Sequence, residues 1–359
     1  MKYITLLRKI ENRKISIVFL VFVVAMFSTI AHAQDYRTID AYMDDFGKNE
    51  MFVKKALIDY SVTIIESQMN TRSKVTSDKI VNKLANINQI MKTTNKGFEN
   101  NTLLRDSFIR MNEKTIESLK NGSLILNDYD YQSTLSFAEI NANMAQKEKN
   151  MQSYYDEMKN FDKNKRAFGS QYNVGFKSTG TKNVLEYNAY QNLLFYKMNV
   201  IDQKLSALID AKDKAGFAKC FAVIDALHDE IIAKTNQYKG VFKDNSMNDA
   251  NVKYANFIQS QKEILSPLFN DFADESAKLA VLKKSSQQTP AAVAAYNEQV
   301  RAYNAKKNAF YAVFDRIKAT KKNMYDNWYV VNSKFLQHNG EFENIHEKYT
   351  LPNSNVATR

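Results

Sequence analysis

The chain has 359 residues, 44% of them apolar, with a formal charge of +11, nine glycines, three prolines and one cysteine. That apolar fraction is ample for one or two cores, while so few breakers and so little turn chemistry exclude a β fold and point to helix over most of the length. Cys220 stands alone, so an intramolecular disulfide is excluded and stability has to come from packing.

The first element is an export signal. Lys2, Arg8, Lys9, Arg13 and Lys14 precede an uncharged apolar run from Ile15 to Ile30, which closes on Ala31-His32-Ala33 before Gln34. Small side chains at Ala31 and Ala33 fit a signal peptidase, so residues 1–33 are expected to be cleaved and residues 34–359 exported to the periplasm or cell surface. The competing reading is a retained anchor helix, because residues 15–30 nearly span a thinned bilayer at about 1.5 Å per residue. No cysteine stands directly after the apolar run, which argues against lipoprotein processing. Cleavage removes five basic and one acidic side chain, leaving +7. The remaining lysines are dispersed, which reads as a solvated helix surface and not as a nucleic-acid footprint, with weak attraction to anionic lipid or polysaccharide. No later stretch is apolar enough to span a membrane once the signal is removed.

Apolar spacing then predicts helices over 48–70, 77–95, 100–120 and 133–168, a Gly/Ser/Thr-rich linker at 169–182, and helices over 183–211, 213–238, 249–283 and 290–337. Thr289-Pro290 pairs a capping hydroxyl with a proline suited to the first helical position; Ser266-Pro267 is either a second such start or a kink inside a longer helix. The clearest stripe steps by three and four residues from Val293 through Tyr296, Val300, Phe310, Phe314, Ile317 and Trp328 to Phe335. A stripe from Phe137 through Ile140, Met144, Met151, Tyr154 and Phe161 to Phe168 coincides with it at an offset of 156, with Lys165 falling on Lys321. Upstream, Ser107-Phe108-Ile109 resembles Asn256-Phe257-Ile258 at an offset of 149. Two matches in the same order point to internal duplication. The expected architecture is therefore all-α: two tandem, duplicated antiparallel four-helix bundles, 34–168 and 183–340, each with a long final helix, joined by 169–182 and followed by a tail at 341–359.

Candidate chemistry is sparse. Glu343 and His346 share the Glu-x-x-His spacing that places both side chains on one helical face, and Asp225 with His228 is a weaker analogue. A two-metal bundle site needs two such facing pairs and further carboxylates. Asp128 and Asp130, with Glu139, match ligand positions of a calcium loop, but Ser133 stands where that loop needs glycine. Cys220 lies on an apolar stripe, where an inert buried thiol is expected. Motifs for a nucleophile elbow, a zinc protease, a dinucleotide site and a phosphate loop are missing, so no catalytic residue and no cofactor are expected.

With its Ala-x-Ala-Gln cleavage site, its Asn/Lys/Tyr-rich body and short motifs such as Glu186-Tyr187-Asn188-Ala189-Tyr190, the chain resembles in style the uncharacterised exported or surface helical proteins of Gram-negative bacteria. The resemblance implies an exported helical protein and transfers no functional residue. The expectation is a non-catalytic binding or structural component of the envelope, facing an unknown protein or envelope ligand, with its oligomeric state open. The alternatives are a metal-binding bundle or enzyme using His228, Glu343 and His346, and a membrane-active helical protein.

Overall fold

A computed structural model describes residues 36–70, 77–120, 128–176, 183–284, 289–340 and 349–350. The signal segment with Ala31, Ala33 and Gln34, and the tail positions Glu343 and His346, lie outside the described residues.

The protein is all-α. Its helices are α1 (Ile39–Asn70), α2 (Asp78–Thr94), α3 (Leu103–Lys120), the short α4 (Tyr129–Thr134), α5 (Phe137–Gln171), α6 (Val184–Ala211), α7 (Lys214–Tyr238), α8 (Ser246–Lys284) and α9 (Pro290–Gly340). Two two-residue strands, β1 (Gly175–Phe176) and β2 (Tyr349–Thr350), pair antiparallel. At 51 residues, α9 is about 75 Å long.

Local chemistry sets many of the ends. Ser136 caps α5 in a complete capping box: its side chain accepts from the Glu139 backbone N–H, and the Glu139 carboxylate accepts from the Ser136 backbone N–H. Asn183 caps α6 and Asp213 caps α7 in the same way, through the N–H groups of Glu186 and Gly216. Thr289 accepts from the Ala292 N–H at 3.2 Å, so α9 starts at the Thr-Pro pair. Pro267 lies inside α8, which continues past it.

Two helices depart from the spacing. α1 begins nine residues before the expected 48, because Tyr42, Met43 and Phe46 carry a buried stripe straight through Gly47. A glycine inside a helix costs only about 1 kcal/mol against alanine, less than burying that stripe returns. The segment expected as one helix over 133–168 is divided by the Ser136 cap into α4 and α5.

The buried side chains form two clusters. One gathers Tyr42, Phe46, Val53, Leu84, Met91, Leu104, Phe108, Phe161 and Phe168, from α1, α2, α3 and the C-terminal part of α5. The other gathers α6 to α9 around Phe195, Phe221, Phe269, Phe310 and Trp328. The Phe195 and Trp328 rings stack there at 4.6 Å and 9°. The N-terminal part of α5 joins this second cluster through Ile140, Met144, Met151, Tyr154 and Tyr155. One 35-residue helix thus belongs to both cores.

Candidate functional site

The chemistry-bearing side chains concentrate in three buried or half-buried settings between helices. The first is a lysine set into the apolar stripe of α5 and another in that of α9. Lys165 of α5 is buried and its ammonium lies 3.0 Å from Glu50 of α1, which Lys54 also reaches at 2.8 Å. Lys321 of α9 lies 2.7 Å from Asp202 of α6. Burial works against the ionised Glu50, yet the two ammonium groups outweigh it and hold its pKa down at about 2.

The second setting is the seam where α5 lies on α6 and α7. Lys197 is buried and donates to Glu148 of α5 and Glu230 of α7, both at 2.7 Å. Burial pulls its pKa down, but the two carboxylates prevail and raise it; Glu148, penalised by its own burial, is lowered by Lys197 and Lys234. At the head of the seam, Asp128 accepts from the Tyr196 hydroxyl at 2.6 Å and from Gln132 at 2.8 Å, with Lys147 at 3.5 Å. Those three partners more than offset burial and keep Asp128 ionised below the usual carboxylate range. The Tyr129 ring packs against Tyr196 and Tyr325, and Tyr329 donates to the Tyr325 hydroxyl.

The third is a band of amides at the far end of the second core. Asn188 donates to Asn332, Asn332 to Asn192, and Asn251 to Gln191 at 2.7 Å. Asn188, Asn192, Asn332 and Gln191 each donate and accept, while Asn251 donates only, and such a band fixes helix register without net charge.

The residues singled out in the sequence occupy these surroundings separately. Asp128 belongs to the seam, while Asp130 sits in the first turn of α4. The ring nitrogens of His228 lie 3.2 Å from Asp229 Oδ1 and 2.8 Å from Asn256 Oδ1. No group of three or more His, Cys, Asp or Glu side chains suited to a metal ion occurs among the described residues. Cys220 is buried, its thiol 3.4 Å from the Ile201 carbonyl, and burial pushes its pKa well up. No described helix is long and apolar enough to cross a membrane. The coincidence of Lys165 with Lys321 flagged the first setting, although neither carboxylate partner was evident. Lys197 was missed, because every residue from Leu193 to Asp202 is buried and no polar face marks it out.

Comparison with protein-family models, with curated proteins and with solved structures finds no match for this chain.

Proposed function

We propose that the chain is an exported, non-catalytic helical protein acting as a structural or binding component of the bacterial envelope or surface. Its first 33 residues are a cleaved signal, and its body is two copies of one four-helix unit. The observation carrying the reading is that its buried charges are spent on one another across helix pairs. Paired charges inside a helical protein favour one helix register over its neighbours and need no ligand to be satisfied.

The burial pattern supports the duplication. With Glu50 aligned on Asp202, the buried Met43, Phe46, Val53 and Leu57 fall on the buried Phe195, Met198, Leu205 and Ile209. Ile80, Val81, Leu84, Ile87 and Met91 of α2 fall likewise on Cys220, Phe221, Ile224, Leu227 and Ile231 of α7. For α3 and α8 the burial register sets Phe108 on Ile258, one residue from the match by identity with Phe257, and also sets Leu104 on Tyr254 and Leu119 on Phe269.

Mass spectrometry of the protein recovered from a bacterial host tests the export step. A chain beginning at Gln34 is expected, and an intact chain beginning at Met1 overturns it. Elemental analysis and activity screening of the same material test the non-catalytic reading, which stoichiometric metal together with turnover would sink.

A further inference from the structure

At the α6–α7 turn, Lys212 lies over the Phe272 ring and Lys214 pairs with Asp274. Past this level the α8–α9 hairpin runs on as an arm whose side chains are mostly exposed. Its counterpart in the first half is the α4–α5 hairpin. Aligning Lys165 with Lys321 sets Phe137, Ile140 and Met144 on Val293, Tyr296 and Val300. The first of these hairpins is covered: α4 packs on α6, Ile140 and Met144 are buried in the second core, and the Lys219 ammonium lies over Phe137. The second is bare, with Val293 51% exposed and Val281 on the facing stretch of α8 67% exposed.

The surface that receives α5 is the outer face of α6 and α7, carrying Lys197, Lys204, Lys219 and Glu230. The alignments above place Asp45, Phe52, Lys79 and Ile90 at the matching positions of α1 and α2. Phe52 is 48% exposed and Ile90 47% exposed. Large apolar side chains therefore stand open on the first unit where the second unit is covered by α5.

We propose that the α8–α9 arm of one chain docks on the outer face of α1 and α2 of a second copy, as the α4–α5 hairpin docks on α6 and α7 within one chain. The inference rests on the two-unit structural reading above. Arm and socket are different surfaces, so the contact is head-to-tail and propagates into a linear assembly instead of closing as a dimer. Charge sets it apart from the internal seam. There an acid on the arm, Glu148, meets Lys197. Between chains Asp45 stands in place of Lys197, and on the arm Asn304 stands in place of Glu148 with Arg301 and Lys307 one turn to either side. Asp45, which also accepts from the Tyr36 hydroxyl, is flanked on the socket by Lys79 and by Lys83, whose ammonium lies over the Phe52 ring. Charge therefore favours the contact at the Asp45 level alone, while Lys197, Lys204 and Lys219 turn the basic arm away from the α6–α7 face.

Sedimentation velocity of residues 34–359 over a range of concentrations at low salt is the test. The expected result is a mass that grows with concentration beyond that of a dimer. Val293→Asp/Tyr296→Asp on the arm, or Phe52→Asp/Ile90→Asp on the socket, is expected to yield monomers of unchanged helicity by circular dichroism. Mixing the two variants is expected to give a dimer that grows no further, since one retains its socket and the other its arm. A wild-type chain that stays monomeric overturns the proposal and leaves the arm to some other partner. So does a wild type that stops at two, assembly that survives both variants, or a mixture that stays monomeric. Turnover or bound metal would defeat the non-catalytic reading without altering these masses, and the lysine substitutions described below test the paired units separately.

Discussion

Replacing Lys321 with methionine removes the ammonium from a pair in which both side chains are about nine-tenths buried (12% and 9% exposed) and leaves Asp202 with no other ion-pair partner among the described residues. Stranding one charge of a buried pair costs about 3–5 kcal/mol. The equivalent Lys165→Met leaves Glu50 still paired with Lys54 at 2.8 Å. Its cost is accordingly smaller, about 1–3 kcal/mol. Replacing both members, in Asp202→Leu/Lys321→Met, removes the stranded charge and brings stability back to within about 2 kcal/mol of the parent. Urea unfolding followed by circular dichroism gives all four free energies, and the double-mutant cycle isolates the pair. The reasoning is refuted if Lys321→Met costs less than Lys165→Met, or if the double variant is no more stable than Lys321→Met alone.

Acid should destabilise the fold in a defined window. Glu50, Glu148 and Asp128 all titrate below their ordinary range in the folded chain. Their contribution is complete above the ordinary carboxylate range and is lost as pH falls from there toward about 2, the folded value of Glu50. Urea midpoints at pH 7 and 5 should be nearly equal and the midpoint at pH 3 lower, with a smaller drop to pH 3 in Glu50→Gln. Gly97→Ala should destabilise more than Gly240→Ala in thermal melts. Both glycines have positive φ, but a Cβ at Gly97 would land on the Asn101 carbonyl while one at Gly240 meets open space. The strain at Gly240 alone is about 1 kcal/mol. Cys220 should resist a thiol reagent at pH 8 in the folded chain and react promptly in urea; rapid labelling without denaturant would contradict its burial.

The long helices were legible because their stripes carry the 3.6-residue period, and Thr289-Pro290 marked the start of α9 unambiguously. The start of α1 was not, because only the tertiary burial of Tyr42 and Phe46 carries the helix across Gly47 to its start at Ile39. The break before α5 was written in Ser136 and Glu139, a capping box that lies inside the helix expected over 133–168 and immediately before its stripe begins at Phe137. Partners across the fold were out of reach: Lys165 finds Glu50 at a separation of 115 residues and Lys321 finds Asp202 at 119. Periodicity tells which face of a helix is covered and carries no information about which helix covers it.

α5 sits in both cores, and this sets how the chain comes apart. Its N-terminal turns keep their shape only while α6 and α7 stand against them, and its C-terminal turns only while α1 to α3 do. Melting either set withdraws half the support from a helix that the other set needs. α9 also packs directly on α1, so the two halves gain and lose structure together through two joints, and a cut at residue 168 would part the sequence where the packing is continuous.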